Sequence, residues 1–285
     1  MSNLIHFTKM HGAGNDYIYV DASAYDIEDP ASAAVLLSKR HTGIGSDGLV
    51  LIGRDDGIEA DFTMNIFNAD GSEAKMCGNA ARCIGKYVYE KGLTRKTSVR
   101  LQTLSGVRML NLHPDESDSV ASVTVDMMCP VLKNPAQFVL NQDKVALVIY
   151  DGGQAMGTFV SMGNPHFVIF TDDVNGLDVP GIGSALENND VFPCGCNIEF
   201  AQVLSQDTIR VRVWERGSGL TMACGTGACA VTVAAAITGR SSRKVQILMD
   251  GGPLQIEWRK SNNHLYLSGP AEFVFEGTID LDKLN

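Results

Sequence analysis

From Cys224 to Gly239 the chain reads Cys-Gly-Thr-Gly-Ala-Cys-Ala-Val-Thr-Val-Ala-Ala-Ala-Ile-Thr-Gly, without one charged side chain. Ala228, Ala230, Val231, Val233, Ala234, Ala235, Ala236 and Ile237 predict a helix that Gly239 ends. A helix apolar nearly all round has no face to offer water, so it must be enclosed on every side. A curled antiparallel sheet with the helix along its axis meets that demand.

The same device occurs 147 residues earlier, where Met76-Cys77-Gly78-Asn79-Ala80-Ala81-Arg82 opens a second Ala-rich run. It predicts a helix to about Lys91, with Ala80, Ile84, Tyr87 and Val88 on one face and Gly92 as its C-cap. Arg82, Lys86 and Glu90 fall on one face, so this helix is expected to be less fully wrapped. Two strand-rich halves, each around one long helix, make an α+β pseudo-repeat of two domains. The length of 285 residues exceeds one usual domain, and 45% hydrophobic residues suffice for full cores. The expected domains are residues 1–124 with 272–285, and residues 125–271, with the run Ala271 to Ile279 returning to complete the first half.

Strands and turns fill the intervals. Leu4 to Met10 and Tyr17 to Val20 predict strands around the tight loop His11-Gly12-Ala13-Gly14-Asn15-Asp16. Pro30 to Arg40 predicts a helix, Asp61 to Phe67 a strand ending in Asn68-Ala69-Asp70-Gly71-Ser72, and residues 97–126 a β-meander. In the second half Val145 to Tyr150 and Thr158 to Met162 lead to Gly163-Asn164-Pro165-His166, whose Asn-Pro turn leaves Asn164 and His166 at a strand end. Strands beginning at Asn197 and Thr208 follow, the latter running into Glu215-Arg216-Gly217-Ser218-Gly219. Gly43-Ile44-Gly45-Ser46-Asp47-Gly48 matches a dinucleotide-binding pattern, but a helix leads in and a strand leads out, the reverse of what a pyrophosphate site needs.

Composition narrows the function. A net charge of −10 with scattered Lys and Arg excludes a nucleic-acid backbone partner. Without a signal-like N-terminus or a membrane-length apolar run, a cytoplasmic protein with no membrane partner is expected. Seven cysteines in spacings that match neither a disulfide framework nor a zinc site are expected as thiols, with no metal.

Each Cys-Gly places a thiol at a helix N-terminus, where unpaired N–H groups and the helix dipole favour thiolate and attract carboxylate. An unperturbed cysteine titrates near ~8.5, within reach of neutral pH. Two such thiols on opposite faces of an α-carbon can remove and return its proton with inversion. Gly78, Asn79, Gly225 and Thr226 would supply the N–H donors that bear charge on the carboxylate, a substitute for a pyridoxal electron sink, so no cofactor is expected. The remaining cysteines, Cys83, Cys129, Cys194, Cys196 and Cys229, are read as structural.

At these residues the chain resembles the diaminopimelate epimerase family. The blocks that carry the resemblance are Met10 to Asp16, Phe67 to Glu73, Cys77 to Arg82, Gly163 to His166, Glu215-Arg216-Gly217 and Ala223 to Gly227. Proline racemases share the two-cysteine logic and fold but match the Asn-rich blocks less well. The resemblance implies cofactor-free isomerisation of LL- to meso-diaminopimelate in lysine and peptidoglycan precursor synthesis, with Cys77 and Cys224 as the acid/base pair. It places His166 and Glu215 beside the thiols and the substrate amine. Asn15, Asn68, Asn164, Asn197 and Arg216 would hold the distal amino-acid end, and Gly78, Asn79, Gly225 and Thr226 the reacting carboxylate. The expected partner is a small amino acid, with a homodimer as the candidate assembly.

Two departures stand out: Leu220 replaces an acidic residue common in the family, and Gly48 replaces a glutamine found in some members. The first leaves open a related racemase acting on another amino acid. A thiol hydrolase or a nonenzymatic zwitterion-binding protein are the readings from other classes.

Overall fold

Apolar residues alternate along Leu4–Gly12 (β1), where Ile5, Phe7 and Met10 are buried. The chain reverses through Ala13 (φ 55°) and Gly14 (φ 80°) into Asn15–Asp21 (β2), a two-residue turn with both central φ angles positive. The computed structural model describes residues 4–55, 57–140, 145–148 and 154–283. They form two compact units, Met1–Val125 with Gly269–Asn285, and Asp126–Ser268.

The first unit continues with Pro30–Ser38 (α1), Gly48–Arg54 (β3), Phe62–Asn68 (β4), Glu73–Ala74 (β5), Gly78–Glu90 (α2), Ser98–Thr103 (β6), Gly106–Pro114 (β7) and Val120–Asp126 (β8). The second contains Val145–Val148 (β9), Gln154–Ser161 (β10), Pro165–Phe170 (β11), Val179–Glu187 (α3), Asn197–Ser205 (β12), Thr208–Glu215 (β13), Gly219–Thr221 (β14), Gly225–Ile237 (α4), Lys244–Met249 (β15), Gly252–Trp258 (β16) and Leu265–Gly269 (β17). Ile149 and Tyr150, expected in the strand that starts at Val145, lie outside the described residues. The last strand, Glu272–Asp280 (β18), returns to the first unit and pairs antiparallel with β1, as the run from Ala271 suggested.

The pairing pattern repeats between units. In the first the order is β18-β1-β2-β3-β4-β6-β7-β8, with parallel steps only at β2/β3 and β4/β6. In the second it is β9-β10-β11-β12-β13-β15-β16-β17, with parallel steps only at β11/β12 and β13/β15. A parallel step needs a crossover, and the four helices are those crossovers. The α+β pseudo-repeat of curled, mostly antiparallel sheets around long helices is therefore the observed architecture. Among the described residues no helix is long and apolar enough to cross a membrane.

Helix α4 is buried almost throughout from Gly225 to Ala235 and packs on β10, β11, β12, β15 and β16. Helix α2 corrects an expectation. Its residues are buried from Gly78 to Tyr89, including Arg82 at 0% exposure and Lys86 at 7%. Arg82 donates to the carbonyls of Pro270 (3.1 Å) and Gly78 (3.3 Å) and to Asn79 Oδ1 (3.0 Å). Lys86 donates to Val120 O (2.8 Å) and pairs with Glu90 (3.1 Å). Buried charge is tolerated when acceptors surround it, so the cations lie inside the wrap rather than marking a wet face.

The glycine-rich segment at 43–48 follows α1 and enters β3, which lies parallel to β2, so no helix N-terminus opens there. Helix α1 itself stops at Ser38, two residues short of the expected end, because Lys39 adopts an extended ψ of 120°. Helix α3 went unread in the sequence. Its Val-Pro-Gly-Ile-Gly start is a poor helix former, held by Asp178 accepting from the Gly181 N–H (3.1 Å) and by buried Val179 and Leu186.

Asp61 ties the edge of the first unit. It accepts from the Arg100 N–H (2.8 Å), Lys96 Nζ (2.7 Å) and Arg100 Nη2 (3.3 Å). Burial opposes its charge, but these donors outweigh burial and hold its carboxyl down to about 2. Its folded value lies below its unfolded value, so its contribution is present above pH ~4 and is lost as pH falls through about 2. Asp61→Asn is expected to cost about 1–2 kcal/mol at neutral pH, allowing for the exposed Lys96. Urea titrations at pH 7 and pH 2 test this, the gap between variant and wild type closing at the lower pH.

Candidate active site

In the first unit the site is built on the N-terminus of α2. Cys77 is its N-cap (φ −136°, ψ 120°), and the Ala80 N–H donates to Sγ at 3.4 Å. The β1–β2 turn delivers Asn15, whose Oδ1 accepts from Cys77 Sγ (3.6 Å) and from Asn79 Nδ2 (3.1 Å). Asn15 Nδ2 in turn donates to Asp47 Oδ2 (2.7 Å). Cys77, Asn15, Asn79, Arg82 and Asp47 thus form one hydrogen-bonded chain, with Gly78 carrying a carbonyl onto Arg82. Asn68 ends β4, and its amide donates to Ser72 Oγ (3.0 Å), so its side chain braces its own turn. The neighbouring Ala69 N–H donates to the Asp47 carbonyl (2.9 Å), which links that turn to the Asp47 loop.

Asp47 escaped notice in the sequence, inside the segment set aside as a false dinucleotide motif. Burial and the nearby Asp16 raise its carboxyl above the usual range, against the Asn15 hydrogen bond. Gly48 beside it has a steric reason to be glycine. A Cβ there would come 2.1 Å from the Phe67 carbonyl oxygen, so a glutamine would need the β3–β4 backbone to move.

In the second unit Cys224 is the N-cap of α4 (φ −123°, ψ 113°), receiving the Gly227 N–H at 3.4 Å and lying 3.4 Å from Thr226 Oγ1. Strand β11 carries His166 and strand β12 Asn197, which are register partners. His166 Nε2 meets Asn164 Oδ1 at 3.1 Å, and Asn164 Nδ2 donates to Thr226 Oγ1 at 3.3 Å. Phe167, next to His166, is wholly buried in a cluster with Phe138, Phe159 and Phe192, which fixes the strand. Glu215 ends β13, accepts from the Thr221 hydroxyl and hydrogen-bonds Cys224. Asn197 Oδ1 accepts the Arg216 N–H (2.8 Å), while the Arg216 guanidinium reaches the Cys194 carbonyl from an exposed position.

The electrostatics of Cys224 differ from the expectation for a helix N-terminus. Burial, then the Glu215 and Glu199 carboxylates, push the thiol well above its usual range, against the Thr226 hydroxyl and Gly227 N–H. Burial and these two carboxylates favour the protonated thiol, the opposite of what a helix N-terminus alone favours. Burial also raises Glu215, partly offset by Thr221, Cys224 and His166.

Leu220 proves peripheral to this cluster. Glu215 pairs with Gly219 and Val213 with Thr221, so Thr221 shares the face of Glu215 while Leu220 pairs with Trp214 on the other face and is 42% exposed. Thr221, which touches Glu215, and Glu199, fully buried against His166, belong to this cluster and were missed in the sequence reading. Glu199 had one signal, a carboxylate inside the otherwise apolar run Ile198 to Ala201. Of the other cysteines, Cys83, Cys196 and Cys229 are buried, and burial pushes Cys83 up to about 12. Cys129 and Cys194 are exposed, so core packing does not account for those two.

Comparison with known proteins bears on the family of the chain. A family profile described as diaminopimelate epimerase matches residues 7–132 and 158–274. A diaminopimelate epimerase of Phocaeicola vulgatus is 53% identical over 283 residues, covering 99% of this chain and 100% of the relative. One from Methanococcus maripaludis is 48% identical over 280 residues, covering 96% and 99%. Among solved structures, a hydroxyproline epimerase from Agrobacterium vitis superposes with a TM-score of 0.72 at 14% identity, covering 99% of this chain and 95% of the other. That likeness concerns the fold alone, whereas the profile and the full-length sequence identity establish that this chain belongs to the diaminopimelate epimerase family.

Proposed function

We propose that this protein interconverts LL- and meso-2,6-diaminopimelate by cofactor-free proton transfer at one α-carbon, with Cys77 and Cys224 as its two acid/base groups. The observation that carries the reading is that each unit caps a buried helix with a thiol that accepts an N–H from the third residue of that helix. Inversion needs a base on one side of the carbon and an acid on the other, and each unit supplies one such group.

The chemistry follows from the side chains. A thiolate at Cys77 takes the α-proton, the electron pair moves toward the carboxylate, and the Cys224 thiol delivers its proton to the opposite side. The reverse direction exchanges the roles. The helix N–H groups at Gly78, Asn79, Gly225 and Thr226 receive the charge that builds on the carboxylate. Glu215, hydrogen-bonded to Cys224, accepts its proton when that thiol must act as base, and with His166 it borders the substrate ammonium. Asn15, Asn68, Asn164, Asn197 and Arg216 hold the distal zwitterion, Asn15 and Asn164 by exchanging present hydrogen bonds for substrate ones. Seven cysteines in spacings that match no disulfide framework support a reducing, cytoplasmic setting; a homodimer is the proposed assembly.

The test is solvent exchange. Incubated in D2O with either isomer, the protein is expected to place one deuterium at one α-carbon of the product. Folded protein that leaves both isomers unlabelled would remove this reading, and labelling of a different amino acid alone would favour the related racemase.

A further inference from the structure

Glu199 is the most deeply placed carboxylate near either thiol. Its side chain is 0% exposed, Oε1 lies 2.6 Å from His166 Nδ1, and Oε2 is buried without a hydrogen-bond partner. Strand pairing aims it there: Glu199 stands two residues beyond Asn197 on β12, beside β11, which carries His166. Gly227 on the first turn of α4 leaves room for it. A Cβ at that glycine would meet Glu199 Oε1 at 2.8 Å and Cys224 Sγ at 3.4 Å, so carboxylate and sulfur flank the same point.

A charge buried this deeply is costly unless it is paired, and only one of its oxygens is. We infer that Glu199 is a positioning residue of the Cys224 half-site: its carboxylate accepts a hydrogen bond from the His166 Nδ1–H, which holds the ring with Nε2 facing Asn164, and its negative charge beside α4 keeps the proton on the Cys224 sulfur. The inference rests on the proposed acid/base role of Cys224. It gives the site its asymmetry, since a thiol kept protonated is ready to donate.

The other groups around Cys224 are accounted for. Glu215 faces it from β13 and His166 comes from β11. Strand β10 carries no ionisable side chain. The charged residues of β15 and β16 are Lys244, which is exposed, and Glu257, which pairs with Arg259 at 3.2 Å. Burial and Glu215 also raise the thiol, so Glu199 supplies part of the effect and not the whole.

The test is Glu199→Gln, which keeps the shape and removes the charge, compared with Glu199→Asp, which keeps the charge. Alkylation of Cys224 by iodoacetamide, followed by peptide mass spectrometry against pH, is expected to shift to lower pH in the glutamine variant, with about tenfold faster labelling on the rising limb. The aspartate variant is expected to keep the wild-type profile. The basic limb of kcat/KM moves with the alkylation profile, while a purely structural role would lower activity evenly at all pH. A wild-type alkylation profile in folded Glu199→Gln overturns the inference. Should that variant not fold, wild-type protein decides: absence of a downfield His166 Nδ1 proton in the NMR spectrum, or ordinary thiol pH dependence at Cys224, overturns it. A shifted alkylation profile in a protein that labels no diaminopimelate leaves this inference standing and removes the functional reading; normal epimerisation with an unshifted profile does the reverse.

Discussion

Cys77→Ala and Cys224→Ala are each expected to lower epimerisation by about 10³-fold or more, the scale of a positioned general acid or base. A readout beyond turnover comes from the two-base logic. Each single-thiol variant retains one group able to reach one side of the α-carbon, so each is expected to wash the α-proton from one stereoisomer and spare the other. The two variants should spare opposite isomers. Deuterium uptake from D2O, followed isomer by isomer, measures this directly. Turnover within tenfold of wild type in either variant would make that thiol a helix cap and nothing more. Serine at either position replaces the N-cap sulfur by a hydroxyl oxygen that caps well but holds its proton too tightly to serve as base near neutral pH, so it should fold well and remain slow.

The second large effect is structural. Arg82 is wholly buried and serves three acceptors, the carbonyls of Pro270 and Gly78 and the Asn79 amide. Arg82→Met preserves much of the apolar stem while leaving the Pro270 carbonyl and the Asn79 amide oxygen without this donor, at roughly 1–3 kcal/mol for each one left buried and unpaired, whereas the Gly78 carbonyl keeps its helical N–H. A loss of about 3–5 kcal/mol is expected in chemical denaturation, a large part of the stability of a typical domain. Asn79 also loses an anchor, and Asn79 shares Asn15 with the Cys77 thiol, so residual activity should fall further than folding alone explains. A destabilisation below ~1 kcal/mol would mean that water or a neighbouring donor replaces the guanidinium. Arg82→Lys retains the charge but spans fewer acceptors, and an intermediate loss is expected.

Legibility followed the range of the forces involved. Helix α4 was readable because its lack of any polar face is a local property that allows only enclosure. The Asn15 turn was readable because a two-residue reversal with positive φ is written in Gly-rich sequence. Helix α2 was misread on one face because Arg82 is charged wherever it lies, and the Pro270 carbonyl that receives it is 188 residues away in sequence. Helix α3 was missed since its propensity is poor and its stability comes from packing, with Trp214 so close to Gly183 that a Cβ would meet it at 2.5 Å. Asp47 and Glu199 were missed for a related reason: a carboxylate beside a loop or in a strand looks like surface until register brings a partner to it.

The sequence by itself determined the pattern on which the proposed reaction rests: two Cys-Gly helix mouths, amide-rich turns, and a repeat that requires wrapped helices. Those features depend on residues close together in the chain. Tertiary structure alone decided the direction in which the Cys224 thiol is pushed, because the helix terminus that favours thiolate is local while the burial and the carboxylates of Glu215 and Glu199 that oppose it arrive from separate strands. It also decided that Leu220 lies on the face away from Glu215, since only the pairing of β13 with β14 specifies which side of the sheet that residue occupies.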